Sequence, residues 1–533
     1  MQQLQTLDYF VFLFYFFVVA GYGYWIYNKK KAKEASTKDF FLAEGSLTWW
    51  AIGASLIASN ISAEQFIGMS GNGFSMGLAI STYEWMAAAT LIIVAVFFMP
   101  IYLKNRIFTM PQFLNQRYNK SVSLIMAIFW LGLYILVNLT SILYLGALAV
   151  SGISGIDFWV CMWGLAIFAI IITIGGMKVI GFTDVIQVFF LIIGGLATTY
   201  LALNLVSDEF GMKGLVNGFK LMTENHDDHF HMIFKKGTTF YSQLPGLTVL
   251  IGGMWIVNLN YWGCNQYITQ RALGADLKTA RNGILFAAFL KLLMPVIVVL
   301  PGIAAYTLHS KGLFQQEMLG ADGSIAPDKA YPVLLGLLPV GLKGLSFAAL
   351  TAAVVASLAG KANSISTIFT LDIFKEYFGK NKTEKELVKI GQIVILVSMV
   401  LAIVVSPYMG IDKKGGFQFI QEMTGLVSPG VFAAFIMGFF WKKTNSAGAL
   451  FAIVGGFLIA LTMHFMLDEI PFLDRMGLVF VICVSVMLAL GVMMPDEKKG
   501  LEIDASMFKP NQSFAIGAGL VIVIIAGLYY YFW

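Results

Sequence analysis

The sequence predicts an all-helical integral membrane protein with about fourteen transmembrane helices, and three observations lead there. Of its 533 residues, 58% are hydrophobic and 12% charged, with a mean hydropathy of +0.78, a composition suited to lipid rather than water as main solvent. The apolar residues gather into stretches of about 20, the length a helix needs to cross the hydrocarbon core of a bilayer. Basic residues fall between those stretches: of 35 Lys and Arg, only Lys291 and Lys361 lie well inside one.

In chain order the stretches are 8–27, 47–70, 75–103, 122–152, 157–177, 184–206, 247–270, 283–307, 342–373, 390–408, 416–440, 446–466, 476–494 and 512–532. The first lacks a basic segment before it and a small-residue cleavage site after it, and Lys29, Lys30, Lys31 and Lys33 follow directly. It reads as a retained helix and not a signal peptide. With that cluster cytoplasmic, alternate connections are cytoplasmic too, and these hold 23 of the 35 Lys and Arg. Short outer loops hold only Lys413, Lys414 and Arg475, whereas the long outer loops 207–246 and 308–341 are exempt from the positive-inside rule. Lys343, at a helix end, can snorkel. Both termini are therefore predicted outside, and the net charge of +5 reflects topology, with no support for nucleic-acid binding.

Two stretches are interrupted by polar and small residues. In 47–70 the apolar run breaks at Ala58-Ser59-Asn60-Ile61-Ser62-Ala63-Glu64-Gln65, and in 247–270 at Asn258-Leu259-Asn260-Tyr261-Trp262-Gly263-Cys264-Asn265-Gln266. These are the second and seventh stretches, five apart. An odd spacing gives the units 47–206 and 247–440 opposite orientations, as an inverted repeat requires. The helix at 8–27 precedes them and 446–532 follows, within one domain spanning 1–533. Discontinuous helices at matching positions point to a midplane site where freed carbonyls hold a cation and side chains meet a polar solute. Kinked helices satisfied by their neighbours are the structural alternative.

Polar groups gather around the breaks. Glu64, Glu84, Asp184 and Glu422 lie within the stretches, with Gln65, Asn60, Asn138, Lys291 and Gln421. A charge near the bilayer centre costs at least ~2.5 kcal/mol, so each needs a partner or a wet cavity. For any one of them, a hydrogen bond between helices is the plainer reading. Together, their carboxylate, amide and ammonium groups suit the hydroxyls of a sugar, while Tyr83, Tyr261, Trp262 and Phe417 can cover an apolar ring face.

Other classes fit less well. Only His464 of five histidines lies in a predicted span, which leaves no constellation for an embedded enzyme. A channel calls for a continuous polar pore, whereas polarity here is concentrated at the breaks. Gly360-Lys361 is followed by Ala362 inside a span, so no phosphate-binding loop drives a pump. The run His226-Asp227-Asp228-His229-Phe230-His231 has metal-ligand residue types, but with no cysteine or helical spacing it reads as a solvated loop. Cys161, Cys264 and Cys483 all fall in spans and give no disulfide framework.

At these residues a resemblance becomes specific. ASLIASNISAEQFIGMS at 54–70, YEWM at 83–86, VNLTS at 137–141, TDVIQVFF at 183–190, NQYITQR at 265–271, FAAFLKL at 286–292 and FQFIQEMTGLVSPG at 417–430 resemble the solute:sodium symporter family, most narrowly its bacterial sodium/galactose branch. The resemblance covers nearly the whole chain. It implies the leucine-transporter fold, alternating access, residence in a bacterial inner (plasma) membrane, sodium as coupling ion and galactose or glucose as solute. It also implies that Gln65, Glu84, Asn138, Lys291 and Gln421 bind sugar, with Asn60 and Asn258 near them. Tyr261 matches an inner gate, and Met69, Tyr83 and Phe417 an outer one. Two departures touch the pocket: Ala87 replaces a serine common in that branch, and Asn260 a tyrosine.

The resemblance further implies a sodium site at the carbonyls of Ala58, Ile61 and Ala353 and at two adjacent serine hydroxyls. Oxygen ligands suit a hard cation. Here the serine pair reads Ala356-Ser357, one hydroxyl short, and Lys361 follows Ser357 by four residues, one turn away on the same helix face. Two readings stay open. Lys361 replaces sodium as a tethered cation, paired with Asp184, with proton coupling if the buried amine releases its proton. Alternatively, Lys361 faces water and leaves a weakened sodium site intact.

Overall fold

The computed structural model describes residues 4–30, 37–43, 47–320, 323–408, 416–494 and 501–533. Lys31, Lys33, Lys413 and Lys414, used above to orient the chain, lie outside them. The described residues are helical throughout, apart from connections and one isolated bridge between Leu319 and Ile325. Among them, eleven helices are long and apolar enough to cross a membrane. Side chains set many helix starts: Asn119 accepts from the Val122 amide, Asp157 from Trp159 and Val160, Asp276 from Lys278 and Thr279, and Asn511 from Phe514.

The centre of the bundle is Leu342–Tyr377, whose most apolar stretch is 89% buried, against 22–28% for Thr6–Asn28, Ser446–Met466, Phe472–Met493 and Gln512–Tyr531. Those four therefore form the lipid-facing periphery. The helix Met177–Glu209 runs along the central one, and Leu277–Ser310 packs on both Met177–Glu209 and the segment Trp49–Met76.

Both predicted interruptions are present. The helix Trp49–Asn60 stops at Ile61, whose backbone is extended, and the chain resumes as a wide π turn over Glu64–Met69 and a helix over Ser70–Met76. The second break is narrower than the sequence suggests. Gly253–Gly263 is helical and only Cys264–Asn265 separates it from Gln266–Leu273, so Asn258, Asn260, Tyr261 and Trp262 sit on a helix rather than on unwound backbone. Gly252 adds an earlier interruption after the short helix Leu247–Ile251.

The long connections also carry structure, Leu215–Asn225 in one and Ala330–Leu337 in the other. The His226–His231 run is not wholly solvated: His229 is buried and stacks on Tyr306 with ring centroids 3.9 Å apart. Contacts place both chain ends beside these connections. The Met232 amide donates to the Phe532 carbonyl (2.8 Å), and Asp8 Oδ1 accepts from the amides of Gly341 (2.7 Å) and Gly344 (2.9 Å). Cys161, Cys264 and Cys483 are buried free thiols.

Candidate functional site

The two breaks meet around a cavity of about 60 Å³, lined by all seven residues expected to bind solute: Gln65, Glu84, Asn138, Lys291, Gln421, Asn60 and Asn258. Local irregularity presents several of them. Asn60 ends the first half-helix, while Gln65 and Asn138 lie on π turns, Glu64–Met69 and Leu133–Leu139, where an extra residue re-aims side chains. Lys291 Nζ donates to Glu84 and to Asn60 Oδ1, and lies 5.2 Å from the centroid of the Trp262 ring. Gln65 Oε1 accepts from the amide (3.0 Å) and hydroxyl (3.2 Å) of Ser62, stitching the unwound segment to itself.

Aromatic groups close the cavity. Tyr261 accepts from Asn60 Nδ2 (2.8 Å) and its hydroxyl bonds that of Tyr267 across the second break. Tyr83 and Phe417 meet edge to face with centroids 5.2 Å apart, and both are buried. Met69, fully buried, is not among the lining residues, so the structure does not bring it to the cavity with the other gate candidates. Gly68 explains how closely this segment approaches Phe417: a Cβ there would stand 2.7 Å from the Phe417 Cβ. Ala87 also lines the cavity, whereas Asn260 turns away and donates to Ser428 Oγ (3.0 Å). The volume holds a few water molecules and is too small for a hexose, so a solute of that size would need the walls to separate.

Of the residues expected to hold the ion, Ala58, Ile61 and Ser357 converge as well. Ser357 Oγ lies 3.3 Å from the carbonyl oxygen of Ala58, 3.0 Å from that of Ser59 and 3.1 Å from that of Ile61, all freed by the first break. Ala353 stands one turn earlier on the same buried helix, and Ala356 is wholly buried beside Ser357. Three carbonyls around one hydroxyl form an all-oxygen donor set that fits a hard cation such as sodium.

Lys361 and Asp184 do not pair. Lys361 lines the same cavity, its Nζ 4.0 Å from Glu64 Oε1 and 5.0 Å from the centroid of the Tyr267 ring. Asp184 instead accepts from Ser55 Oγ (2.5 Å), which in turn accepts from Arg271 Nε (2.9 Å). Arg271 supplies the nearby positive charge that the sequence reading sought in Lys361.

Arg271 is also more buried than hydropathy implies. Hydropathy put it in a connection, yet it is fully buried, as are Arg117, Arg281 and Lys343 to within 8% exposure. Arg117 donates to the carbonyls of Gly438, Trp441, Lys442 and Thr444, capping the helix Gly416–Phe440. Arg271, Arg281 and Lys343 lie near the ends of apolar stretches and Arg117 ends the short helix Met110–Arg117 between two of them, places where a window average does not register burial. Tyr267 and Thr424 are lining residues that sequence reasoning missed. The available signal for Tyr267 was its place just past a helix break, inside the NQYITQR string.

The model of the sodium:solute symporter family matches residues 40–456. The chain belongs to that family. It is 47% identical to a sodium/glucose cotransporter of Vibrio parahaemolyticus over 99% of each chain. It is 35% identical to human sodium/myo-inositol cotransporter 2 over 86% of this chain and 70% of that one. Among solved structures, a Na+-coupled sialic acid symporter in a substrate-bound outward-open state superposes with a TM-score of 0.81 at 20% identity, covering 93% of this chain and 100% of the other, which shows a shared fold. This family member is thus a multi-pass membrane transporter and not an enzyme.

Proposed function

We propose that the protein moves a hexose, galactose or glucose, across the bacterial plasma membrane by alternating access, driven by sodium. The observation that carries this reading is the convergence of all seven candidate sugar ligands on one cavity at the junction of two helix breaks. The reading includes fourteen spans, inverted repeats 47–206 and 247–440, a leading helix at 8–27 and a trailing group at 446–532. Both chain ends face outward with the long connections, as the distribution of Lys and Arg supports.

In the mechanism, Lys291, Glu84 and Asn60 exchange their mutual hydrogen bonds for bonds to sugar hydroxyls, and the amides of Gln65, Asn138, Asn258 and Gln421, which line the same cavity, add further ones. Tyr83 and Phe417 seal one side, and Tyr261 with Tyr267 the other. Sodium binds at Ala58, Ile61, Ala353 and Ser357, favouring the geometry in which Asn60 and Gln65 face the sugar.

One observation favours a second reading. Ala356 removes a hydroxyl, so Lys361 could serve in place of sodium, with sodium-independent or proton-coupled transport. The position of its ammonium opposite Glu64 supports the sodium-driven reading instead. The deciding experiment measures uptake of labelled galactose, glucose and myo-inositol into proteoliposomes under sodium, potassium or proton gradients, for the unmodified protein, Lys361→Met and Ala356→Ser/Lys361→Met. Sodium-driven accumulation of a hexose by the unmodified protein is expected. Equilibrating uptake indifferent to sodium, with coupling gained only in the double variant, would establish the second reading. Preference for myo-inositol would overturn the hexose assignment.

A further inference from the structure

We infer that Glu64 is the counter-ion that allows a cation to bind one helical turn from Lys361, so that sodium affinity depends on a carboxylate outside the ion's ligand set. This rests on the sodium-driven reading above. Ser357 marks the cation cradle through its contacts with the carbonyls of Ala58, Ser59 and Ile61. Lys361 follows it by four residues on the same helix, a rise of about 6 Å that keeps both on one face. An ammonium about 6 Å from a bound sodium ion, at an effective dielectric of about 20, would weaken binding by roughly a hundredfold. A chain that places a lysine there and still binds sodium needs a negative charge beside it.

Glu64 is placed to supply that charge. It opens the half-helix after the same break, three residues beyond Ile61, so the two ends of the break address one face of the central helix: carbonyls at Ser357, carboxylate at Lys361. Both side chains are buried, with residue exposures of 7% for Glu64 and 4% for Lys361. Glu64 Oε1 makes no hydrogen bond among the described residues, so its fixed partner is the ammonium 4.0 Å away. The neighbouring carboxylates are engaged elsewhere, Glu84 by Lys291 and Asp184 by Ser55 in contact with Arg271. Three buried cations thus stand against three buried carboxylates around the two breaks, and removing Glu64 uncovers Lys361 alone. The pairing also explains why a lysine is tolerated beside a cation site: the two charges form a local dipole rather than a net positive field.

The test measures binding of radioactive sodium to purified protein in detergent without sugar, for the unmodified chain, Glu64→Gln, Lys361→Met and Glu64→Gln/Lys361→Met. Glu64→Gln is expected to raise the half-saturating sodium concentration by roughly ten- to hundredfold. Lys361→Met should bind at least as tightly as the unmodified chain, and the double variant should return to within about threefold of it. Both Gln variants lack the same carboxylate, so a purely structural role for Glu64 would weaken them alike, and that result would overturn the inference. Unmodified and Glu64→Gln proteins that bind sodium equally well would also overturn it while leaving sodium coupling intact. Failure of the unmodified protein to bind sodium would overturn both the sodium-driven reading and the counter-ion role.

Discussion

Two lysines enter the same cavity, each facing one glutamate and one aromatic ring of the second broken helix, yet they are held differently. Lys291 donates directly to Glu84 and Asn60 beside Trp262, whereas Lys361 stands 4.0 Å from Glu64 over the Tyr267 ring with a carboxylate oxygen still unbonded. The first arrangement fixes a polar cluster that a solute can replace hydroxyl for hydroxyl. The second keeps charge balanced while leaving both partners loosely tied. On the proposed reading, similar residue types in one pocket serve recognition in one case and electrostatic background in the other.

The largest effects are expected at Lys291. Glu84→Gln or Lys291→Met alone leaves a buried charge without its partner and is expected to destabilise the protein by about 3–5 kcal/mol, lowering Tm and abolishing galactose uptake. The pair Glu84→Gln/Lys291→Met should recover most of the Tm and none of the uptake. If it recovers neither, the two residues do not act as a pair. Lys361→Met orphans a carboxylate that was never tightly bonded, so a smaller loss of about 1–3 kcal/mol is expected in the same thermal assay. A loss as large as that at Lys291 would erase the distinction.

Smaller effects sharpen it. Phe417→Ala removes an edge-to-face contact with Tyr83 of about 0.5–1.5 kcal/mol beyond its buried area, and apparent galactose affinity should weaken by up to about tenfold with sodium dependence unchanged. Ala356→Ser restores a hydroxyl beside Ser357 and should tighten half-saturating sodium by about threefold, the lower end of what one polar contact contributes. No change there would place the side chain of residue 356 outside the ion site.

Much of this site was legible in the sequence because polarity inside an apolar stretch is conspicuous: Glu84, Lys291 and both helix breaks announce themselves against the lipid-facing background. The partner of Lys361 was not. Asp184 and Glu64 are both acids within spans, and choosing between them requires knowing that Arg271, which hydropathy assigns to a connection, folds back to Ser55 and fills the place next to Asp184. The extent of the second break was misread for a related reason. Asn258 and Asn260 look like helix breakers, but the Asn258 side chain donates to the Met254 carbonyl one turn back and Asn260 to Ser428, so the helix persists to Gly263. Sequence shows which residues are polar, and only packing shows which bonds they have already made.

The hydroxyl of Ser357 has one proton and three carbonyl oxygens within 3.3 Å, so it can serve them only in turn. Before an ion arrives it acts as a rotating donor that spares the freed carbonyls of the break from standing without a partner in an apolar interior. On the sodium-driven reading, the proton would swing aside when a cation binds and the same oxygen would offer a lone pair. In the proposed cycle, one side chain would thus hold the break open both with and without the ion, and the unloaded carrier could make its return journey without collapsing the place where its next passenger will sit.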